Sequence, residues 1–443
     1  MASHNFPPTP THMEQPTMNQ PTSRRDFLKT SAVLAGAAAA THLAIPSNVH
    51  AGGDDLIKVG LIGCGGRGCG AADQAVKAGP NIQLTAIGDV FPDHLASAQR
   101  TLKKDLGDKY AVPEKNCFSG FDAYKEVIGS GVDVVLLTTP PHFRPLHFQA
   151  AIEAGKHTFV EKPVAVDAPG VRSILETVKK AKEKNLAVVS GLCWRYHHAK
   201  RETFAKVHEG AIGDILAMQC TYNTGYLRCY KREKDWSDME YQLRNWWYYT
   251  WLSGDHNVEQ HIHSLDKMAW AMKDEFPEKA FGVGGRQVRT EEVYGHIFDH
   301  HAVVYEFKNG VKAFSMCRQQ ENTDNEIKDF LFGTKGVCDV MAHSITGANP
   351  WRHRSNKKDP DDMYQNEHNE LFASIRSGKP INDGERMAKS TLMAILGRMA
   401  SYTGKVITWD KAMASTEDLS PSKYEWGSLP FPEVARPGIT KFS

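Results

Sequence analysis

Six residues constrain this chain more than any others: Gly63-Cys64-Gly65-Gly66-Arg67-Gly68. This G-x-G-x-x-G run follows a short apolar stretch (Ile57, Val59, Leu61, Ile62) and precedes a helical, alanine-containing pattern reaching Ala78. A second apolar stretch, IQLTAIGD, ends at Asp89, 21 residues beyond Gly68. Strand, glycines, helix, strand and acid in that order make a dinucleotide-binding unit. Each part has a physical task. Gly63 permits the tight turn, Gly65 with Gly66 beside it lets the backbone approach a diphosphate, and Gly68 lets helix and strand pack closely. The helix N-terminus stabilises the phosphate charge. Asp89 can accept both ribose hydroxyls of an adenosine, and it repels a 2′-phosphate. Val90, Phe91 and Pro92 follow it, with no arginine to receive such a phosphate. NAD is therefore expected over NADP, with Arg67 the loop residue still able to reach a phosphate.

The alternation continues. FPDHLASAQRTLKKDL reads as a helix with Pro92 near its start. VDVVLLTTP and HTFVEKP read as buried strands, and RPLHFQAAIEAG and DAPGVRSILETVKKAKEKN as helices, before a last strand, LAVVSGLCW. This pattern predicts an α/β fold with a doubly wound parallel sheet, assigned to residues 53–193. Such sheets bind ligands at the carboxyl ends of their strands. Thr139, Pro140 and His142 follow one strand, Glu161 and Lys162 the next, and Trp194 and Arg195 the last. All seven are candidate cofactor contacts.

From about Gly213 short strand runs closed by glycine turns replace the alternation: DILAMQCTYNTG, FGVGGRQVRT, HHAVVYEFKNG, VKAFSMCRQQ and IKDFLFGTKG. They predict an α+β domain with a largely antiparallel sheet, assigned to 194–420, with a tail at 421–443. Two helical patterns, YQNEHNELFASIRSG and RMAKSTLMAILGRMASYTG, fall inside it. Trp236, Tyr241, Trp246, Trp247, Tyr248, Tyr249 and Trp251 lie close together. Most of these aromatics are expected in the core. Tyr248 and Arg244 are the candidates for contact with substrate.

The stretch SGDHNVEQHIHSLD (253–266) holds three histidines and three carboxylates. Val258, Ile262, Leu265 and Ala269 recur at helix spacing, and Ser253 or Asp255 can cap the start. At about 100° per residue, Asp255, Glu259, His263 and Asp266 share one stripe, with His256 at its edge and His261 nearly opposite. His261 and His263 therefore diverge, which argues against a His-x-His metal pair. Glu259 and His263 stand at i, i+4, but a metal there would need its third ligand from elsewhere. The expected roles are acid–base chemistry for Glu259 and His263 and substrate contact for Asp255 and His256.

The first 52 residues differ from the rest. A Pro/Thr/Asn-rich leader precedes SRRDFLKTSAVLAGAAAATHLAIPSNVHA, in which Arg24 and Arg25 are followed by a mild, alanine-rich apolar stretch and small residues at Val49-His50-Ala51. This pattern is that of a twin-arginine export signal, with the mature chain starting near Gly52 and a periplasmic or otherwise exported destination. The body of the chain has no apolar run of about 20 residues, so no membrane span is expected there. A net charge of +1 gives no basic excess for nucleic acid. The eight cysteines have no framework spacing, and most are expected as free, buried thiols.

Together, GLIGCGGRG, TTPPHFRPLHFQAAIEAGKHTFVEKPVAVD and GLCWRYHH resemble the glucose–fructose oxidoreductase and inositol dehydrogenase superfamily, often called Gfo/Idh/MocA. The resemblance runs over roughly residues 54–410. It implies that Lys162, the lysine of Glu-Lys-Pro, lies near the nicotinamide and the reacting hydroxyl. It implies His263 as general base, with Glu259 standing where inositol dehydrogenase-like members carry Asp. It implies a homo-oligomer assembled through the open face of the second sheet. The expected activity is oxidation of a carbohydrate or polyol hydroxyl with a tightly held NAD recycled in the site. One alternative is an NAD-dependent glycosidase, in which His263 or Tyr248 assists the aglycone's departure. The other is a non-catalytic, dinucleotide-dependent sugar-binding protein.

Overall fold

Ile57, Val59, Leu61 and Ile62 are buried along the first strand, as their spacing requires. The computed structural model describes residues 55–354 and 361–443. The leader and signal read at 1–52 lie outside the described residues. The nucleotide-type half runs β1 (Ile57–Ile62), α1 (Gly66–Lys77), β2 (Ile82–Asp89), α2 (Pro92–Leu106), β3 (Cys117–Ser119), α3 (Ala123–Gly129), β4 (Val134–Leu137), α4 (Arg144–Glu153), β5 (His157–Val160), α5 (Ala168–Glu183) and β6 (Val188–Ser190). Its six strands are parallel in the order β3-β2-β1-β4-β5-β6. The chain winds outward from β1 to β3, then returns to the other side of β1 with β4. Such a reversal opens a crevice at the strands' carboxyl ends.

The remaining elements are α6 (His198–His208), β7 (Ile215–Thr224), α7 (Asp238–Arg244), α8 (Thr250–Ser253), α9 (His256–Glu259), α10 (Ile262–Ala271), β8 (Lys279–Gly285), β9 (His300–Glu306), β10 (Lys312–Gln319), β11 (Glu326–Gly333), β12 (Gly336–Asp339), β13 (Ser344–Gly347), β14 (Trp351–Arg352), α11 (Met363–Arg376), α12 (Gly384–Thr403), β15 (Ile407–Thr408) and α13 (Trp409–Ala414). Nine strands form the second sheet in the order β14-β13-β12-β11-β7-β10-β9-β8-β15. It is mixed but largely antiparallel, with β7 and β10 its parallel pair. Alternation along β10 sets its two faces. Ala313, Ser315, Cys317 and Gln319 are buried, while Phe314 and Met316 are exposed on the outer side.

Helix α12 is buried nearly all round, which its continuous apolar and small residues (Leu392, Met393, Ala394, Ile395, Leu396) allow. Helix α11 was grouped by sequence with the second half. The structure instead puts its Leu371, Phe372 and Ile375 in the apolar core that holds Ile57, Val59 and Leu61. The eight cysteines are free, five of them buried.

Candidate active site

The crevice is a cavity of about 650 Å³ whose floor is the glycine loop. Gly63 has φ 99°, and a side chain there would strike the Thr139 backbone 2.7 Å away. A Cβ on Gly68 would stand 1.9 Å from Gly63 O, so helix α1 can approach β1 only with glycine. Gly65 and Gly66 have nothing within 4 Å of a Cβ position, leaving open space over the start of α1. Asp89 ends β2 in the same cavity, where its carboxylate accepts from Cys64 N (2.6 Å) and Phe91 N (2.9 Å). Thr139 and Pro140 line the opposite side. Open glycines at a helix N-terminus with a carboxylate at the neighbouring strand end fit a dinucleotide.

Arg67 borders this cavity, but its guanidinium is committed. It donates to Glu161 (2.5 Å), Glu367 (2.9 Å) and Gln74 (2.8 Å). Glu161 thus acts beneath the loop, held below the usual carboxylate range by Arg67, Lys162 and Arg144 against its own burial. The outer wall comes from the second half of the chain: Arg228, Tyr230, Leu243, Arg244, Trp246 and Trp247. Trp246 and Trp247 stack at 4.5 Å. Arg228 covers the Tyr230 ring and makes no ion pair among the described residues.

Several expected contacts lie elsewhere. Arg244 was expected at the substrate. It ion-pairs with Asp93 and Glu240 and lies 4.2 Å over Phe91, two residues after Asp89, at the end of the cavity where an adenosine would sit. Tyr248 is fully buried, with its hydroxyl on Leu227 O. Arg195 grips Asp266 through two bonds (2.8 and 3.0 Å), reaches Asp274 (2.6 Å) and covers Trp270, so it is structural where a cofactor contact was expected. Trp194 lies under the ammoniums of Lys200 and Lys267, outside the cavity lining. His142 is buried behind the lining, 2.8 Å from the Tyr424 hydroxyl, and burial pushes it down to about 4.

The stripe on residues 255–266 also needs correction, because the helix is not continuous. Helix α9 stops at Glu259 and α10 starts at Ile262. Between them His261 N reaches back five residues to His256 O (3.0 Å), and His263 N turns to Gln260 O at 3.5 Å. At the break His261 Nε2 lies 2.7 Å from Ser315 Oγ on the inner face of β10. Val258, Ile262, Leu265 and Ala269 remain buried, as their spacing predicts. The polar residues scatter. Asp266 faces Arg195 and Ser390. Asp255 is buried, taking bonds from Tyr402 (2.5 Å) and Phe298 N (3.1 Å), with His256 beside it. Neither Asp255 nor His256 lines the cavity, and Lys162, Glu259 and His263 also stand behind its lining.

The break has a chemical consequence. Glu259 O, which a continuous helix would spend on His263 N, instead accepts from Lys162 Nζ at 2.7 Å. Glu259 Oε1 accepts from the same ammonium at 2.8 Å. The pair is about one-seventh exposed, 15% and 14%. Lys162 follows β5, the strand beside the β4 whose end carries Thr139 and Pro140. His263 stands on the next turn. Burial, with Lys162 and Lys267 nearby, holds it well below the usual imidazole range, and its Nδ1 has no hydrogen-bond partner. The structure therefore gathers Lys162, Glu259 and His263, and separates them from Asp255, His256, Tyr248 and Arg244.

Sequence reasoning missed Arg228 and Tyr230, which have no local motif. It also missed the tail, where Trp426 stacks on Phe91 (5.6 Å) and lies 4.9 Å from Phe121, both of which line the cavity.

Residues 57–191 match the family model described as "Oxidoreductase family, NAD-binding Rossmann fold", GFO_IDH_MocA. Residues 21–41 match the twin-arginine translocation signal sequence, which indicates export by that pathway. No helix among the described residues is long and apolar enough to cross a membrane. Inositol 2-dehydrogenase 3 of Saccharopolyspora erythraea is 28% identical over 297 residues, 66% of this chain and 72% of that protein. Glycosyl hydrolase family 109 protein 1 of Bacteroides fragilis is 27% identical over 170 residues, 38% of this chain and 35% of that protein. A solved levoglucosan dehydrogenase, in complex with NADH and levoglucosan, superposes with a TM-score of 0.62 over 80% of this chain and 99% of its own, at 19% identity. That likeness is one of fold.

Proposed function

Given that this chain belongs to the Gfo/Idh/MocA oxidoreductase family and carries a twin-arginine signal, we propose that it oxidises a carbohydrate or polyol hydroxyl with NAD outside the cytoplasm. One observation carries this reading: an ammonium held at a strand end by both acceptors of Glu259, next to a neutral histidine with an unpartnered ring nitrogen. NAD, when bound, supplies the acceptor for hydride leaving the hydroxyl-bearing carbon.

The chain's own groups handle the proton and the oxygen charge. An ammonium has three donors. Glu259 takes two from Lys162. The third is left for a substrate oxygen, where it stabilises negative charge as the hydroxyl proton departs. His263 is kept neutral by its surroundings, so it has a lone pair for that proton, while burial and the nearby ammoniums lower its basicity. Glu259 is a positioning residue here, fixing Lys162 rather than orienting His263.

NAD is favoured over NADP because Asp89 closes β2 while Arg67 and Arg244 are both spent on carboxylates. Arg228 remains as the cation for the diphosphate. The wall from the second half of the chain, with Trp426 behind Phe91 and Phe121, supports a cofactor retained between turnovers and recycled in place. The likeness to a family 109 glycosyl hydrolase favours a second reading, in which hydride returns to the same sugar after an aglycone leaves. The outer face of the second sheet exposes Leu216, Phe281, Val283, Phe314 and Met316, which supports a homo-oligomer packed through that face.

The test is a screen of polyols, aldoses and aryl glycosides against the purified protein loaded with NAD. Net reduction of the cofactor supports the oxidoreductase. Aglycone release without net reduction supports the glycosidase. Failure to bind any dinucleotide refutes both.

A further inference from the structure

On the far side of the helix break lies a second polar cluster that the reaction above does not use. Asp255 Oδ1 stands 2.8 Å from His256 Nδ1 and 3.1 Å from His301 Nε2. One ligand atom from each residue lies within 4.8 Å of the other two. The three side chains are at most 2% exposed.

Two independent features point to an occupant. The first is His256. Neither of its ring nitrogens has a hydrogen-bond partner, although Nδ1 is so close to Asp255. A buried polar atom left this way is costly unless something binds it. Two ligands of one metal, each about 2.0–2.2 Å from it, show this relation: neighbours at roughly 3 Å, aimed at a third point rather than at each other.

The second is the set of groups behind the ligand atoms. Tyr402 and Phe298 N occupy Asp255 Oδ2, while Oδ1, which accepts a long bond from Asn257 N (3.4 Å) and pairs with His301 Nε2 (3.1 Å), faces the histidines; a metal would replace that imidazole contact. Ser401 Oγ lies 2.8 Å from His301 Nδ1, leaving Nε2 toward Asp255. Metal-binding carboxylates and imidazoles are oriented by outer partners in this manner. The nearby Arg289 is engaged elsewhere, by Gln319 Oε1 (2.5 Å), Phe298 O and the face of Tyr248.

We propose that Asp255, His256 and His301 form a buried site for a divalent transition metal of the zinc class. One carboxylate oxygen and two imidazoles are a zinc-type donor set with a fourth position open. His301 belongs to β9, so the metal would tie that strand to the start of α9, whose last residue, Glu259, holds Lys162. The site then braces the segment that positions the acid–base pair.

The test uses the full mature chain. Elemental analysis after zinc loading and desalting is expected to find about one zinc per chain. His256→Ala and His301→Ala are each expected to lose most of it, while Cys117→Ser, on a distant strand, keeps it. X-ray absorption at the zinc edge of the wild-type protein decides the matter if either variant fails to fold. Two imidazoles with oxygen in the shell support the proposal, whereas sulfur ligands overturn it. It is also overturned if the wild-type chain holds no zinc after loading, or if both folded variants keep it.

Discussion

Replacing Glu259 by Gln isolates the charge that holds Lys162. The amide preserves shape and can still accept a hydrogen bond, and the second bond, to Glu259 O, belongs to the backbone and survives. What disappears is a carboxylate 2.8 Å from an ammonium. At an effective dielectric constant near 20, that attraction is about 6 kcal/mol. Most of it is offset, because both ions gave up hydration on folding and would recover part of it. The pair is still about one-seventh open to water, which screens it further. The expected net loss is about 1–2 kcal/mol of stability. Urea unfolding of Glu259→Gln, Lys162→Met and the double variant gives the coupling directly. The expected coupling is about 1 kcal/mol or more, weakening in salt. Turnover by Glu259→Gln should fall about 10- to 100-fold, because the ammonium is less well placed, while NAD affinity is unchanged. Coupling below about 0.3 kcal/mol, or undiminished turnover, refutes the positioning role of Glu259.

Other outcomes follow from the same geometry. Arg244→Ala removes the tie to Asp93 and Phe91 and should weaken NAD binding about tenfold, or 1.4 kcal/mol, with little effect on the substrate's KM; calorimetry and kinetics check both. Trp426→Ala should speed cofactor release in a stopped-flow chase, since its ring backs Phe91 and Phe121. Burial pushes His142 down to about 4 and His147 to about 3. The unfolded chain takes up those protons near pH 6.5, so stability present above that value is lost as pH falls toward 4, by about 1.4 kcal/mol per pH unit for each group. The urea midpoint should therefore fall steeply over that window, and less so in a His142→Asn, His147→Gln double variant. The homo-oligomer proposed through the outer sheet face predicts that light scattering finds Phe314→Glu monomeric and the unaltered chain larger.

The nucleotide half was legible because its determinants are local. Gly63, Gly68 and Asp89 each act within a strand–turn–helix unit, and the structure finds each in its expected place. The second sheet was legible from strand alternation and glycine turns. The Lys162 environment was legible only in part. Glu259 meets Lys162 with His263 close by, but through a helix break that periodicity cannot show. At that break His261 meets Ser315, 54 residues beyond it, and Glu259 meets an ammonium 97 residues before it. The partners of Arg195 and Arg244 were not legible for the same reason. An arginine's role is set by which carboxylate it meets, and Asp266 and Asp93 are brought to them by packing. The cavity's outer wall and the aromatic tail have no local pattern, and only the fold makes them part of the site.

The central claim is hydride transfer between a sugar or polyol carbon and a dinucleotide held beside Lys162 and His263. The most direct measurement incubates the NAD-loaded protein with carbon-deuterated polyols and aldoses, then analyses the cofactor by mass spectrometry. The account predicts deuterium in the nicotinamide ring with at least one of them, and at least about 100-fold slower labelling in Lys162→Ala despite full cofactor occupancy. A fully loaded protein that labels as fast in Lys162→Ala as in the wild type, or that labels with none of these compounds, contradicts it.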